Sequence, residues 1–152
     1  MKSLPLKSEE PINPVITILV VEDDALILAL ETAILKRAGY RTLAAGDGVD
    51  GAVLFARHFD EINALVTDIS LPGMRGLEFA QFARKIRSDL KVLFASGSMQ
   101  QDAALSKVQG SRYIPKPFTA EEFLQAVQAL LNDEICGFGR GPSFLSATAL
   151  LI

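Results

Sequence analysis

The short apolar runs of this chain end in one repeating way, and that punctuation limits the folds open to it. Val15–Val21 (VITILVV), Ala64–Thr67 (ALVT) and Val92–Ala95 (VLFA) are continuous, with little room for a wet face. Such runs are typical of strands buried on both sides. They stop abruptly on Glu22-Asp23-Asp24, on Asp68 and on Ser96-Gly97-Ser98. Helical periodicity, not a hairpin turn, comes after each of them. Beyond the first run, Ile27, Leu30, Ile34 and Ala38 recur at helical spacing until Gly39, with the acidic residues as N-cap and negative first turn. Arg41–Ala45 and Ser111–Ile114 supply two weaker strands, and helices are expected over about 49–58, 76–86 and 99–108. Thr119-Ala120-Glu121-Glu122 is a capping box that opens a fifth helix, with Phe123, Val127 and Leu130 on one face. Five strands alternating with five helices predict an α/β fold: a doubly wound parallel sheet with helices on both faces.

The 152 residues suffice for one such domain and not for two. Residues 1–14 are polar and carry three prolines, so they read as a flexible leader. Residues 15–132 hold the domain. Residues 133–152 read as a Gly-rich tail (GFGRGP at 137–142) with an apolar end (FLSATALLI at 144–152). A DNA-binding unit needs several elements, so the expectation is that no output domain is present. The net charge of −3 offers no broad basic surface to nucleic acid. The start lacks the apolar core of a signal peptide, and no stretch nears the roughly 20 apolar residues of a membrane span. The lone Cys136 excludes an internal disulfide and fits a reducing compartment. Together these features predict a soluble, cytoplasmic chain with no membrane and no nucleic-acid partner.

Open parallel sheets place functional groups outside the carboxyl ends of their strands. At that edge the chain puts Glu22 and Asp23 after the first strand, Asp68 after the third, Ser96 after the fourth and Lys116 after the fifth. Each alone has a bland reading as a cap, a turn hydroxyl or a solvated lysine. As a set they are three carboxylates, a hydroxyl and an ammonium converging on one edge. Two carboxylates about 4 Å apart repel by about 4 kcal/mol at an effective dielectric of about 20. Three in one crevice either shift their pKa values or take up a cation. Oxygen-only donors suit Mg²⁺, and a chain with one histidine and one cysteine is poorly equipped for zinc. A cation, a nucleophilic carboxylate and a lysine together make a phosphoryl-transfer site, with Asp68 attacking phosphorus.

VVEDD, TDISLPGMRG, FASGS and YIPKPF, in this order, resemble the receiver domains of two-component response regulators over about residues 15–132. The resemblance implies the flavodoxin-like strand order 2-1-3-4-5 and Mg²⁺ as cofactor. It implies Asp68 as phosphoacceptor, Asp23 as a direct metal ligand, Glu22 as a ligand acting largely through water, and the Ser70 carbonyl as a further ligand. It makes Ser96 the hydroxyl switch, Lys116 the cation paired with the phosphate, and Tyr113 the aromatic switch. The Lys116-Pro117 bond is expected to be cis, an isomer only proline makes cheap. The implied partners are a histidine kinase or histidine phosphotransfer protein and a downstream protein target, and a homodimer is allowed. The implied activity is a phosphorelay in which the chain is no enzyme beyond its own phosphorylation and dephosphorylation, and in which phosphate shifts the face built from helix four, strand five and helix five.

Rival readings are weaker. A haloacid-dehalogenase-type phosphatase needs a second aspartate two residues past the nucleophile, where this chain has Ser70. A phosphotransfer module using His58 would be a helical bundle, which the strand pattern contradicts. The alternative that survives is a receiver fold acting as a binding module without phosphorylation.

Overall fold

The computed structural model describes residues 14–97 and 110–133. The expected leader up to residue 13, the helix expected over about 99–108, Ser98 and the tail beyond Asp133 lie outside the described residues. Strands β1 (Thr17–Val21), β2 (Arg41–Ala45), β3 (Ile62–Asp68), β4 (Lys91–Ser96) and β5 (Ser111–Pro115) form one sheet. All pairings are parallel and the order is β2-β1-β3-β4-β5, the doubly wound arrangement expected from the sequence. Helices α1 (Ala25–Arg37), α2 (Gly48–His58), α3 (Gly76–Ile86) and a final helix (Ala120–Asn132) cover it.

The burial pattern explains which strands were easiest to read. β1 has neighbours on both sides and every residue buried, so only a continuous apolar run can occupy it. The edge strands β2 and β5 each bury a single residue, and their sequences are correspondingly mixed. Along β1 the side chains alternate between two cores. Ile18 and Val20 join Leu35, Phe123, Val127 and Leu130, whereas Leu19 and Val21 join Phe55, Phe79 and Phe94. A one-residue slip would exchange the two sets, so register is strongly fixed. Removing one of these fully buried rings, as in Phe79→Ala, costs about 3–5 kcal/mol.

The final helix obeys its sequence. Thr119 and Glu122 exchange side-chain-to-amide hydrogen bonds at 3.0 and 2.9 Å, and Phe123, Val127 and Leu130 are buried. α1 does not. The expected apolar stripe through Ile27, Leu30, Ile34 and Ala38 is out of phase: Glu31 and Leu35 are buried, and Leu30 is 55% exposed. The reason is physical. ALILALETAILKR is apolar nearly all round, so periodicity cannot choose the face that meets the sheet. The helix has no acidic residue in its first turn either. Asp24 is the N-cap, accepting from the amides of Leu26 and Ile27, which leaves Glu22 and Asp23 ahead of the helix.

From β1 the chain crosses to β2 on one side and the sheet continues to β3 on the other. The two crossovers diverge there and leave a crevice beyond the carboxyl ends of β1 and β3.

Candidate functional site

Asp68 is the last residue of β3, where a strand buried over most of its length reaches the crevice. Glu22 and Asp23 come directly after β1. One carboxylate oxygen from each of the three lies within 4.8 Å of the other two. Glu22 is buried, Asp68 partly so, and Asp23 is exposed. Lys116, just past β5, places its Nζ 2.8 Å from Asp68 Oδ2 and 2.9 Å from Glu22 Oε1, donating to both. The other Glu22 oxygen accepts from the Asp24 amide, and Asp68 Oδ1 accepts from the Ser70 amide at 3.1 Å.

This layout sets the electrostatics. Burial pushes the Glu22 carboxyl above its usual range, against the pull of Lys116 and the Asp24 amide. Burial pulls the Lys116 ammonium down, but hydrogen bonds and charge from Asp68 and Glu22 outweigh it, and the net direction is up. Three carboxylates against one ammonium leave two negative charges without a partner in the cluster. An oxygen-only donor set with surplus negative charge fits a hard divalent cation such as Mg²⁺.

The other expected residues take their places around this cluster. Ser96 ends β4, is buried, and accepts at its carbonyl from the Lys116 amide at 2.8 Å. Ser70 is exposed, two residues past Asp68. Tyr113 in β5 packs against the core of Leu19, Phe79 and Phe94, and its hydroxyl is buried with no hydrogen-bond partner among the described residues. The Lys116-Pro117 bond is cis, as expected.

A match to the response regulator receiver domain family runs over residues 18–128. The chain belongs to this family. This receiver domain is 35% identical over 117 residues to the response regulator MprA of Mycobacterium leprae (strain TN), covering 76% of this chain and 50% of that protein. It is 32% identical over 116 residues to YbdJ of Bacillus subtilis (strain 168), described as an uncharacterized transcriptional regulatory protein, with 76% and 50% covered. It thus spans about half the length of these curated relatives. Among solved structures, a receiver domain protein from Clostridium thermocellum superposes with a TM-score of 0.71 at 27% identity, over 78% of this chain and 95% of that one. The response regulator TrrA from Thermotoga maritima, solved in complex with Mg(2+)-BeF, gives 0.69 at 29% identity, over 77% and 100%.

Two residues at this receiver site escaped the sequence reading. A side chain on Gly76 would put its Cβ 2.1 Å from the Asp68 carbonyl oxygen, so only glycine lets α3 begin against the back of Asp68. The sequence showed it merely as a helix start. Glu31, on α1, is 1% exposed, and its Oε2 has no hydrogen-bond partner among the described residues. Burial, then the nearby Glu22 charge, push its carboxyl up to about 8 despite Lys116. A glutamate inside a helix ordinarily reads as a solvent-facing residue, and no local signal marks this one as different. Within the described residues no helix is long and apolar enough to cross a membrane.

Proposed function

We propose that this receiver domain carries signals by phosphorylation of Asp68, with a histidine kinase or histidine phosphotransfer protein as donor. The observation that carries the reading is Lys116, held by Asp68 and Glu22 together inside a cluster of three carboxylates. An Asp68 carboxylate oxygen attacks phosphorus, and a P–O bond forms as the P–N bond to the donor imidazole breaks. The electron pair leaves with the imidazole nitrogen, which takes up a proton. Lys116 is poised to follow the new charge, because it already touches the oxygen of Asp68 opposite the one held by the Ser70 amide.

Glu22, Asp23 and Asp68, with the Ser70 carbonyl, are the groups that would hold Mg²⁺. Its charge would neutralise phosphoryl oxygens that the carboxylates alone would repel. Phosphate adds negative charge and strong acceptors, which favour the state that brings the Ser96 hydroxyl onto it. Tyr113 stands on the strand beside Ser96, with Phe94 paired to it, so a change at Ser96 reaches the β5 side. The face that would shift includes β5 and the final helix, and it would be read by a downstream protein. On this reading the domain turns over only its own phosphate, and it works in the cytoplasm.

Mass spectrometry after incubation with phosphoramidate and Mg²⁺ tests the proposal. The wild type should gain one phosphoryl group and Asp68→Asn none. A wild type that gains none, or a variant that gains as much, overturns it.

A further inference from the structure

Five of the eight large apolar side chains exposed among the described residues gather on α2 and α3, at 37 to 56% exposure. Val49 and Val53 stand one turn apart on α2, and Phe59 comes just past its end. Phe82 and Ile86 stand one turn apart on α3. Gly48, Gly51 and Phe55 take the buried side of α2, so the two valines face outward. A Cβ on Gly51 would lie 3.2 Å from the Phe79 ring, which marks the flank of α3 that meets α2. Phe82 and Ile86 follow Phe79 at i+3 and i+7 and share that flank. Exposed aliphatic and aromatic groups concentrated in this way mark an interaction surface.

The charges around this surface identify what covers it. α2 and α3 follow parallel strands, so both start at the carboxyl edge and run side by side. They are also in step. Gly51 meets Phe79, and further down the Arg87 guanidinium donates to the Phe59 carbonyl; both pairs are 28 positions apart in the chain. The same spacing levels Asp50 with Glu78, and Arg57 with Lys85. All four are exposed, and none forms an ion pair among the described residues. Each helix thus carries an acid in its first turn and a cation in its last, about 10 Å apart along the axis.

We propose that this surface is the interface with a second copy of the chain, packed antiparallel about a two-fold axis near Val53 and Phe82. Those residues lie midway between Asp50 and Arg57 on α2 and between Glu78 and Lys85 on α3. An axis there turns each acidic end onto the basic end of the other copy, a self-complementary arrangement. Apolar side chains fill the middle and charges form the rim, as association surfaces require. Parallel packing would oppose acid to acid and cation to cation, which charge disfavours. α2 and α3 pack in one core and the final helix in the other, so the final helix stays uncovered. The pairing needs no phosphate on Asp68.

Sedimentation equilibrium of the full, unphosphorylated 152-residue chain tests this. From micromolar to millimolar concentration the mass should rise from one chain to two and stop there. Arg57→Glu with Lys85→Glu makes both ends of the surface acidic and should raise the dissociation constant by about a hundredfold. Asp50→Lys with Glu78→Lys makes both ends basic and should do the same. Mixed one to one, the two variants should pair with each other at close to the wild-type affinity, because each offers the charge the other lacks. That recovery also shows both to be folded. If either charge variant fails to fold, Val53→Lys takes its place: it sets two like charges at the axis and should leave single chains. A wild type that stays monomeric or a mass that grows beyond two overturns the proposal. So does a dimer that survives these substitutions, or folded charge variants that do not recover on mixing.

Discussion

At the carboxyl ends of the strands, Lys116 faces Asp68 and Glu22 at 2.8 and 2.9 Å, with Asp23 as a third carboxylate beside them. At the amino ends, Arg112 meets Asp133 one to one through two hydrogen bonds, and Lys91 caps the carbonyls of Leu131 and Asp133. The second arrangement is complete in itself. Arg112 and Asp133 match each other in charge, and Lys91 lies where the dipole of the final helix favours a cation. The first arrangement is short of positive charge and partly shielded from water. It can be relieved only by protons, by a cation, or by a change in charge at Asp68. The candidate site therefore lies at the edge whose carboxylates outnumber its ammonium, whereas at the amino edge Arg112 and Asp133 pair with each other.

Removing Lys116 should disturb this contrast most severely. Lys116→Met leaves Glu22 buried with no cationic partner, the situation in which breaking an ion pair is strongly destabilising. Glu22 can escape part of the penalty by taking up a proton, so the expected loss is about 3 kcal/mol at neutral pH and less under acid. Urea melts across pH 5–8 measure it. A loss that stays constant down to pH 5 would mean that Glu22 does not respond to its partner.

Glu31 deepens the contrast, because it lies beneath the responsive edge and one of its oxygens has no partner among the described residues. Leaving a buried polar group unsatisfied costs about 1–3 kcal/mol. Glu31→Leu should therefore stabilise the domain by about 2 kcal/mol. The sign of the pH effect comes from a carboxyl at about 8 when folded and near the ordinary 4.5 when unfolded. Below 4.5 both states hold the proton and nothing is lost. As pH rises toward 8, the unfolded chain releases a proton that the folded chain keeps, so stability falls, by at most about 1.4 kcal/mol per pH unit. Glu31→Gln should flatten that decline. An unchanged slope would assign the pH dependence to other groups.

Glu31 also shows where sequence reasoning stopped. The sheet was legible because β1, β3 and β4 are buried on both faces, and only uninterrupted apolar runs satisfy that condition. The site was legible because its residues punctuate those runs at the one edge where open parallel sheets work. The phase of α1 was not legible. Its leucines surround the helix, and the one charged residue in its middle is the one turned inward. Gly76 was hidden for a related reason: its role is the space beside the Asp68 carbonyl, which a helix-start reading does not reveal. Nor did the sequence show that Lys116 binds two carboxylates at once, which changes the effect expected from neutralising each acid.

Crowded carboxylates alone would make any neutralisation stabilising. With Lys116 bound to Asp68, Asp68→Asn relieves repulsion but also removes an ion pair, and the two effects should nearly cancel. No ion pair is formed by Asp23 among the described residues, and it shares the cluster with the other two acids. Asp23→Asn should therefore raise the stability of the metal-free domain by about 1 kcal/mol, with the gain falling in salt. Melts with and without Mg²⁺ check it. Addition of Mg²⁺ should stabilise the wild type more than Asp23→Asn, because that variant has one ligand fewer to offer.

The smallest effect belongs to the matched edge. Asp133→Ala removes both hydrogen bonds to Arg112. The pair is about two-fifths exposed on each side, and pairs in that setting contribute only a few tenths to about 1 kcal/mol. Lys91 should keep hold of the final helix, since it binds main-chain carbonyls that the substitution leaves in place. The expected loss is about 0.5 kcal/mol, reduced further by salt. The more telling measurement is whether this loss depends on the other edge. Residues far apart with no shared partner give additive effects, so Asp133→Ala combined with Asp23→Asn should equal the sum of the two within about 0.5 kcal/mol. The loss should also be the same with and without Mg²⁺. A coupling energy clearly above that margin, or one that appears only with Mg²⁺, would mean that the two edges communicate through the sheet and that the amino-terminal edge is part of the switch.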